Sequence, residues 1–125
     1  MLTERDAGAL RGLLGCVDLK EGLSACGEDA ALYFEHLGSA ARRYRRHAQH
    51  LALGAALSEW AAVRLSLSAL AVSLQSIGAV KLADDAACLC ARLGQGDTAY
   101  AREEADAFCD ELMSLCAVIE RCLRA

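Results

Sequence analysis

Four stretches of this sequence place apolar residues at alternating steps of three and four, a period that only a helix gathers onto one face. In the first, Tyr33, Leu37, Ala40, Ala41, Tyr44, Ala48 and Leu51 fall within about a third of the circumference. Trp60, Val63, Leu67, Leu70, Leu74 and Ile77 make the second stripe, and Leu82, Ala86, Leu89 and Leu93 the third. Ala101, Ala105, Phe108, Leu112, Leu115, Ile119 and Cys122 make the fourth. No proline interrupts any of them, and alanine and leucine favour helix at almost every position. An isolated helix cannot bury such a stripe. Four of them predict an all-α antiparallel four-helix bundle.

Glycine-containing breaks at 12–15, 25–27, 78 and 94–96, with another break at 56–58, delimit the elements. They leave two short helices in residues 1–27 and four longer ones in 28–124, within a single domain of 125 residues. Thr3 and Asp6 read as a capping box with aspartate in place of glutamate. Ser58 is the expected N-cap of the helix that starts near Trp60, and Asp97 that of the last helix.

No apolar run approaches the ~20 uncharged residues of a membrane span. The N-terminus lacks the pattern of a secretory signal, so the expectation is a soluble cytoplasmic protein. The seven cysteines form no C-x-x-C pair and are odd in number. Neither a disulfide framework nor a zinc site is expected; free thiols serve as small core hydrophobes, with redox sensing at Cys88 or Cys90 as a lesser alternative. The net charge of −4 is segregated. Arg42, Arg43, Arg45, Arg46 and Arg64 make the middle basic, whereas Asp97, Glu103, Glu104, Asp106, Asp110 and Glu111 make the last helix acidic. The overall acidity argues against nucleic acid as a partner. No Gly-rich phosphate loop, metalloprotease motif or paired acid/base carboxylates emerge, so neither a cofactor nor enzymatic turnover is expected.

The segment from Trp60 to Leu93, WAAVRLSLSALAVSLQSIGAVKLADDAACLCARL, resembles the core of a histidine phosphotransfer (HPt) domain. That family carries phosphoryl groups between two-component receiver domains, on a helix with the pattern H-x-x-K-G followed by an apolar-Gly-Ala step. Setting Ile77-Gly78-Ala79 on that step, without a gap, puts Ser68 at the histidine position, Ala71 at the lysine and Val72 at the glycine. A second block, Val17 to Leu23 leading to Leu32-Tyr33, is similar to the family's entry segment, so the likeness covers most of residues 17 to 123. The frame is kept while the three chemical positions are lost.

The resemblance implies that the surface around Ser68 is where a receiver would dock. Ser68 lies roughly 140° from the centre of its helix's apolar stripe, with Arg64, Ala71 and Gln75 on the same surface and Val72 at its margin. An exposed serine hydroxyl without a base is a poor nucleophile, and its phosphate ester would pass the group on poorly. The expected function is therefore that of a pseudo-phosphotransfer protein, binding a receiver or histidine kinase through Arg64, Ser68, Ala71, Val72 and Gln75 without accepting phosphate. Two alternatives stand beside it. His47 or His50, one turn apart beside Arg43 and Arg46, is a relocated phosphoryl acceptor; or the chain is a structural or oligomerisation bundle. The cluster from Arg42 to Arg46 reads as a solvated face, or as a dock for an acidic protein surface. His36 is too far from His47 for the three histidines to share a metal, and the oligomeric state stays open.

Overall fold

A computed structural model describes residues 3–124. Six helices hold most of them, and no strand occurs among the described residues. They are α1 (Glu4–Leu13), α2 (Leu19–Ala25), α3 (Ala30–Ala56), α4 (Trp60–Ser76), α5 (Val80–Gly94) and α6 (Thr98–Arg124).

The starts of four helices follow from short polar side chains. Thr3 accepts from the Asp6 N–H while the Asp6 carboxylate accepts from the Thr3 N–H, completing the box on α1. Asp18, Asp29 and Asp97 each accept the backbone N–H three residues on, at 3.1–3.2 Å. Ser58 does not cap α4, contrary to the sequence expectation. Its backbone lies in the left-handed region at φ 56°, and its Oγ accepts from the Arg102 guanidinium at 2.7 Å. Glu59 takes the capping position without a side-chain bond, and Arg102 also lies over the Trp60 ring.

The stripes predicted from the sequence are the faces that become buried. Tyr33, Leu37, Ala40, Ala41 and Tyr44 are wholly inaccessible, as are Leu74, Ala86, Leu112 and Ile119. Ala105 and Trp60 are the stripe members left half-buried. Helices α3 and α6 share the most extensive contact and run antiparallel, for Cys109 reaches the Ala48 carbonyl while Cys116 reaches that of Ala41. Helix α4 packs on α3 and α5, α5 on α6, and α1 on α6. Three-residue connections join α3 to α4, α4 to α5 and α5 to α6, so each of these pairs is also antiparallel.

The α4–α5 turn is locked from outside. Gly78 adopts φ +87°, its carbonyl accepts the Asp18 N–H at 2.7 Å, and the neighbouring Ile77 carbonyl accepts the buried Tyr33 hydroxyl at 2.7 Å. A Cβ at position 78 would run into the Asp18 carbonyl oxygen, which is backbone and cannot step aside. Gly78→Ala should therefore cost more than ~3 kcal/mol, read as a fall in thermal midpoint of about 10 °C or more. Gly8→Ala is the control: a Cβ there meets nothing within 4 Å inside α1, so the midpoint should hold or rise.

Candidate functional site

Helix α4 has four sides with different jobs. Val63, Leu67, Leu70 and Leu74 face the core. Ser66 and Ser73 face α3, where they meet His47 Nδ1 at 2.9 Å and the Tyr44 hydroxyl at 2.7 Å. Arg64 faces α5: its carbonyl accepts the Cys90 thiol at 3.7 Å, and its guanidinium lies over Gly94. The remaining side points to solvent and carries Ala61, Leu65, Ser68, Ala69, Val72 and Ser76, all exposed.

That outward side is apolar where a solvated helix would be charged. Leu65 and Val72 are 75% and 73% exposed, the two most exposed large hydrophobics among the described residues. They stand two turns apart with Ser68 and Ala69 between them, so they form one stripe. Exposed leucines are common singly; two large apolar side chains on one stripe with no charge between them are not.

Of the residues singled out from the sequence, Ser68, Val72, Gln75 and Arg64 are exposed, as expected. Val72 stands on the outward stripe, not at its margin. Ala71 is half-buried and packs against the core. Leu65 and Ala69 were missed, although the seven-residue spacing of Leu65 and Val72 was there to be read.

The histidines separate. His50 is exposed, His36 places Nδ1 3.7 Å from the Cys26 thiol, and His47 is half-buried against Ser66. Burial lowers the His47 pKa below its ordinary value, and the positive neighbours His50, Arg43 and Arg46 push the same way. His47 is thus a neutral imidazole at pH 7. No group of three metal-ligating side chains gathers among the described residues.

The arginine cluster divides as well. Arg45 pairs with Glu120 across α3 and α6 at 2.6 Å, an ion pair exposed enough that its effect on stability is small. Arg42, Arg43, Arg46 and Arg64 are exposed and enter no ion pair among the described residues. Tyr44 is buried beneath them, so it offers no stacking surface. Arg43, Arg46 and His50 line the α3 edge of the α4 face, because His47 lies at the level of Ser66 and Tyr44 at that of Ser73.

Four of the seven cysteines are buried. Cys109 and Cys116 donate to carbonyls of α3, and burial pushes both thiols up to about 11, so they remain protonated donors. Cys88 is exposed and Cys90 half-buried; all seven are free. No helix among the described residues is long and apolar enough to cross a membrane. Compared with protein-family models, with curated proteins and with solved structures, the chain matches none.

A folded-state pKa below the unfolded value means that the unfolded chain takes up the His47 proton first. Stability should therefore fall as pH drops from about 6.5 through the folded His47 pKa. Imidazole NMR shifts should place the His47 midpoint below that of a model histidine. His47→Gln should remove its share of the loss when urea midpoints are compared at pH 7 and pH 5.

Proposed function

We propose that the chain is an HPt-like antiparallel four-helix bundle, formed by α3 to α6, in which phosphotransfer has been abandoned and docking retained. It binds a receiver or histidine kinase domain through the outward side of α4 without accepting phosphate. One observation carries this reading above the others: the side of α4 that presents Ser68 is exposed, apolar and uncharged, with Leu65 and Val72 flanking the serine. Exposed apolar surface of this kind marks a partner's footprint. The basic α3 edge of Arg43, Arg46 and His50 suits a partner whose apolar centre is bordered by acids on that side. Arg64 and Gln75 border the face toward α5, and Ala71 supports it from beneath.

Serine has neither the nucleophilicity nor the leaving-group chemistry of imidazole, and among the described residues no side chain is seen to hydrogen-bond to Ser68 as a base. Binding without turnover fits an inhibitor, a decoy or a scaffold.

His47 gives a second reading. It is the neutral, nucleophilic form of imidazole, bonded through Nδ1 to Ser66 and flanked by Arg43 and Arg46, which would offset a phosphate's charge. In that reading His47, or His50 one turn on, carries the phosphoryl group from a relocated position.

Incubation with phosphorylated receiver domains, with binding followed in parallel, separates the two. The wild-type chain should bind and acquire no acid-labile label. Val72→Glu should weaken binding at least tenfold with unchanged helicity. The combined replacement Ser68→His, Ala71→Lys and Val72→Gly should confer acid-labile labelling, because it restores the three positions of the motif. Label on the wild-type chain, lost in His47→Gln, would establish the second reading. A panel of receivers and kinases that bind nothing would sink the docking proposal.

A further inference from the structure

The outward face is wider than one helix. Beside α4, helix α5 turns Val80, Asp84, Ala87 and Ala91 the same way, toward neither the core nor α6. The core side of α5 carries Leu82, Ala86, Leu89 and Leu93, and its α6 side carries Lys81 and Cys88, which meet Glu111 and Tyr100. The two-helix face therefore holds Ala61, Leu65, Ser68, Ala69 and Val72 on α4 with Val80, Ala87 and Ala91 on α5. Its charged residues are Arg64 and Asp84, both exposed and neither in an ion pair among the described residues.

The register of the α4–α5 hairpin places these residues in height. Arg64 lies opposite the stretch from Cys90 to Gly94. Eight residues further along α4 and eight back along the antiparallel α5, Val72 is level with Asp84. The heights of Leu65 and Val72 are thus symmetric about the level of Ser68 and Ala69, and so are those of Arg64 and Asp84. An apolar pair and a charge pair of opposite sign share one centre. A two-fold axis through that centre, perpendicular to the helices, lays Leu65 of one copy over Val72 of the other. It also brings Arg64 of one copy to the height of Asp84 of the other, twice. This self-complementarity is what an isologous interface requires.

The geometry points to a second copy of this chain as the occupant of this face, in an antiparallel two-fold dimer centred on Ser68. The face is about 22 Å long and ~20 Å wide, from the rise and spacing of helices, roughly 440 Å² per copy, which is below the standard specific interface and in the range of weak, transient pairs. The dimer is accordingly weak and exchanges. Because Ser68 and Val72 lie inside it, self-association and the docking of another protein on α4 exclude one another. The inference stands on the face itself and does not depend on the HPt reading.

Sedimentation velocity of the full chain from about 2 to 500 µM tests it. The expected result is a shift from monomer to dimer. Leu65→Glu should weaken association at least tenfold while far-UV circular dichroism and the thermal midpoint hold. Arg64→Glu should weaken it, and Arg64→Glu combined with Asp84→Arg should restore it, which loss of folding cannot mimic. With Cys16 and Cys88 replaced by serine, Ser68→Cys should cross-link to its own copy under mild oxidation, because it sits at the axis. A chain that stays monomeric at 500 µM overturns the inference, as does a dimer indifferent to Leu65→Glu and to the charge exchange. A monomer that still binds a receiver through α4 rejects the dimer and leaves the docking proposal standing.

Discussion

Helices α3 and α6, 27 residues each, share the most extensive contact and meet where cysteine faces alanine, and that seam governs the rest of the molecule. Small side chains at Ala40, Ala41, Ala48, Cys109 and Cys116 let the two axes approach closely, and two thiols reach across to carbonyls at 3.5 and 3.6 Å. A bulkier residue on this line would push the pair apart along its length, since helices repack as rigid bodies. The remaining helices are laid onto this pair: α1 on α6, α4 on α3, and α5 between α4 and α6. The abundance of cysteine in a protein with no disulfide finds its account here. The thiol is a methyl-sized hydrophobe that can also satisfy a spare lone pair of a helix carbonyl.

Polar pins fix α4 against α3. Tyr33 reaches the end of α4 at Ile77, Tyr44 reaches Ser73 one turn before it, and His47 reaches Ser66 two turns further toward its start. Apolar contact alone is non-directional and would tolerate a slip of one helix along the other. Three hydrogen bonds at different heights do not. Among the described residues no buried side-chain nitrogen or oxygen lacks a partner, so the pins leave no polar debt in the interior. They also set the rotation of α4 about its axis, and hence which of its residues reach solvent.

Most of the buried face of each long helix was legible in the sequence, because the apolar period is a one-dimensional image of burial. The capping positions Thr3 and Asp97 were legible for the same kind of reason, since a cap is local. Ser58 was misread because its role is not local. Its hydroxyl is claimed by Arg102, 44 residues away, and the backbone turns left-handed there. The outward side of α4 was read only in part. Position on a helical wheel located Ser68 and puts Leu65 opposite the buried stripe as well, but a wheel cannot say that this side has no neighbour. That knowledge comes from the placement of α3 and α5, which cover two sides of α4 and leave a third bare.

The connections flanking α4 have a consequence for any encounter with a partner. Each is three residues long, each contains a residue at positive φ, and one is bolted to Asp18. There is no slack by which α4 could tilt, fray or refold around an incoming surface. Recognition at this face is therefore of the lock-and-key sort: little conformational entropy is surrendered on contact, and little adaptability is available in return. A protein built this way discriminates by shape and charge already in place. Drift in its specificity would come from surface substitutions on α4 and α5, while changes in the turns that hold them would first be felt as loss of the fold.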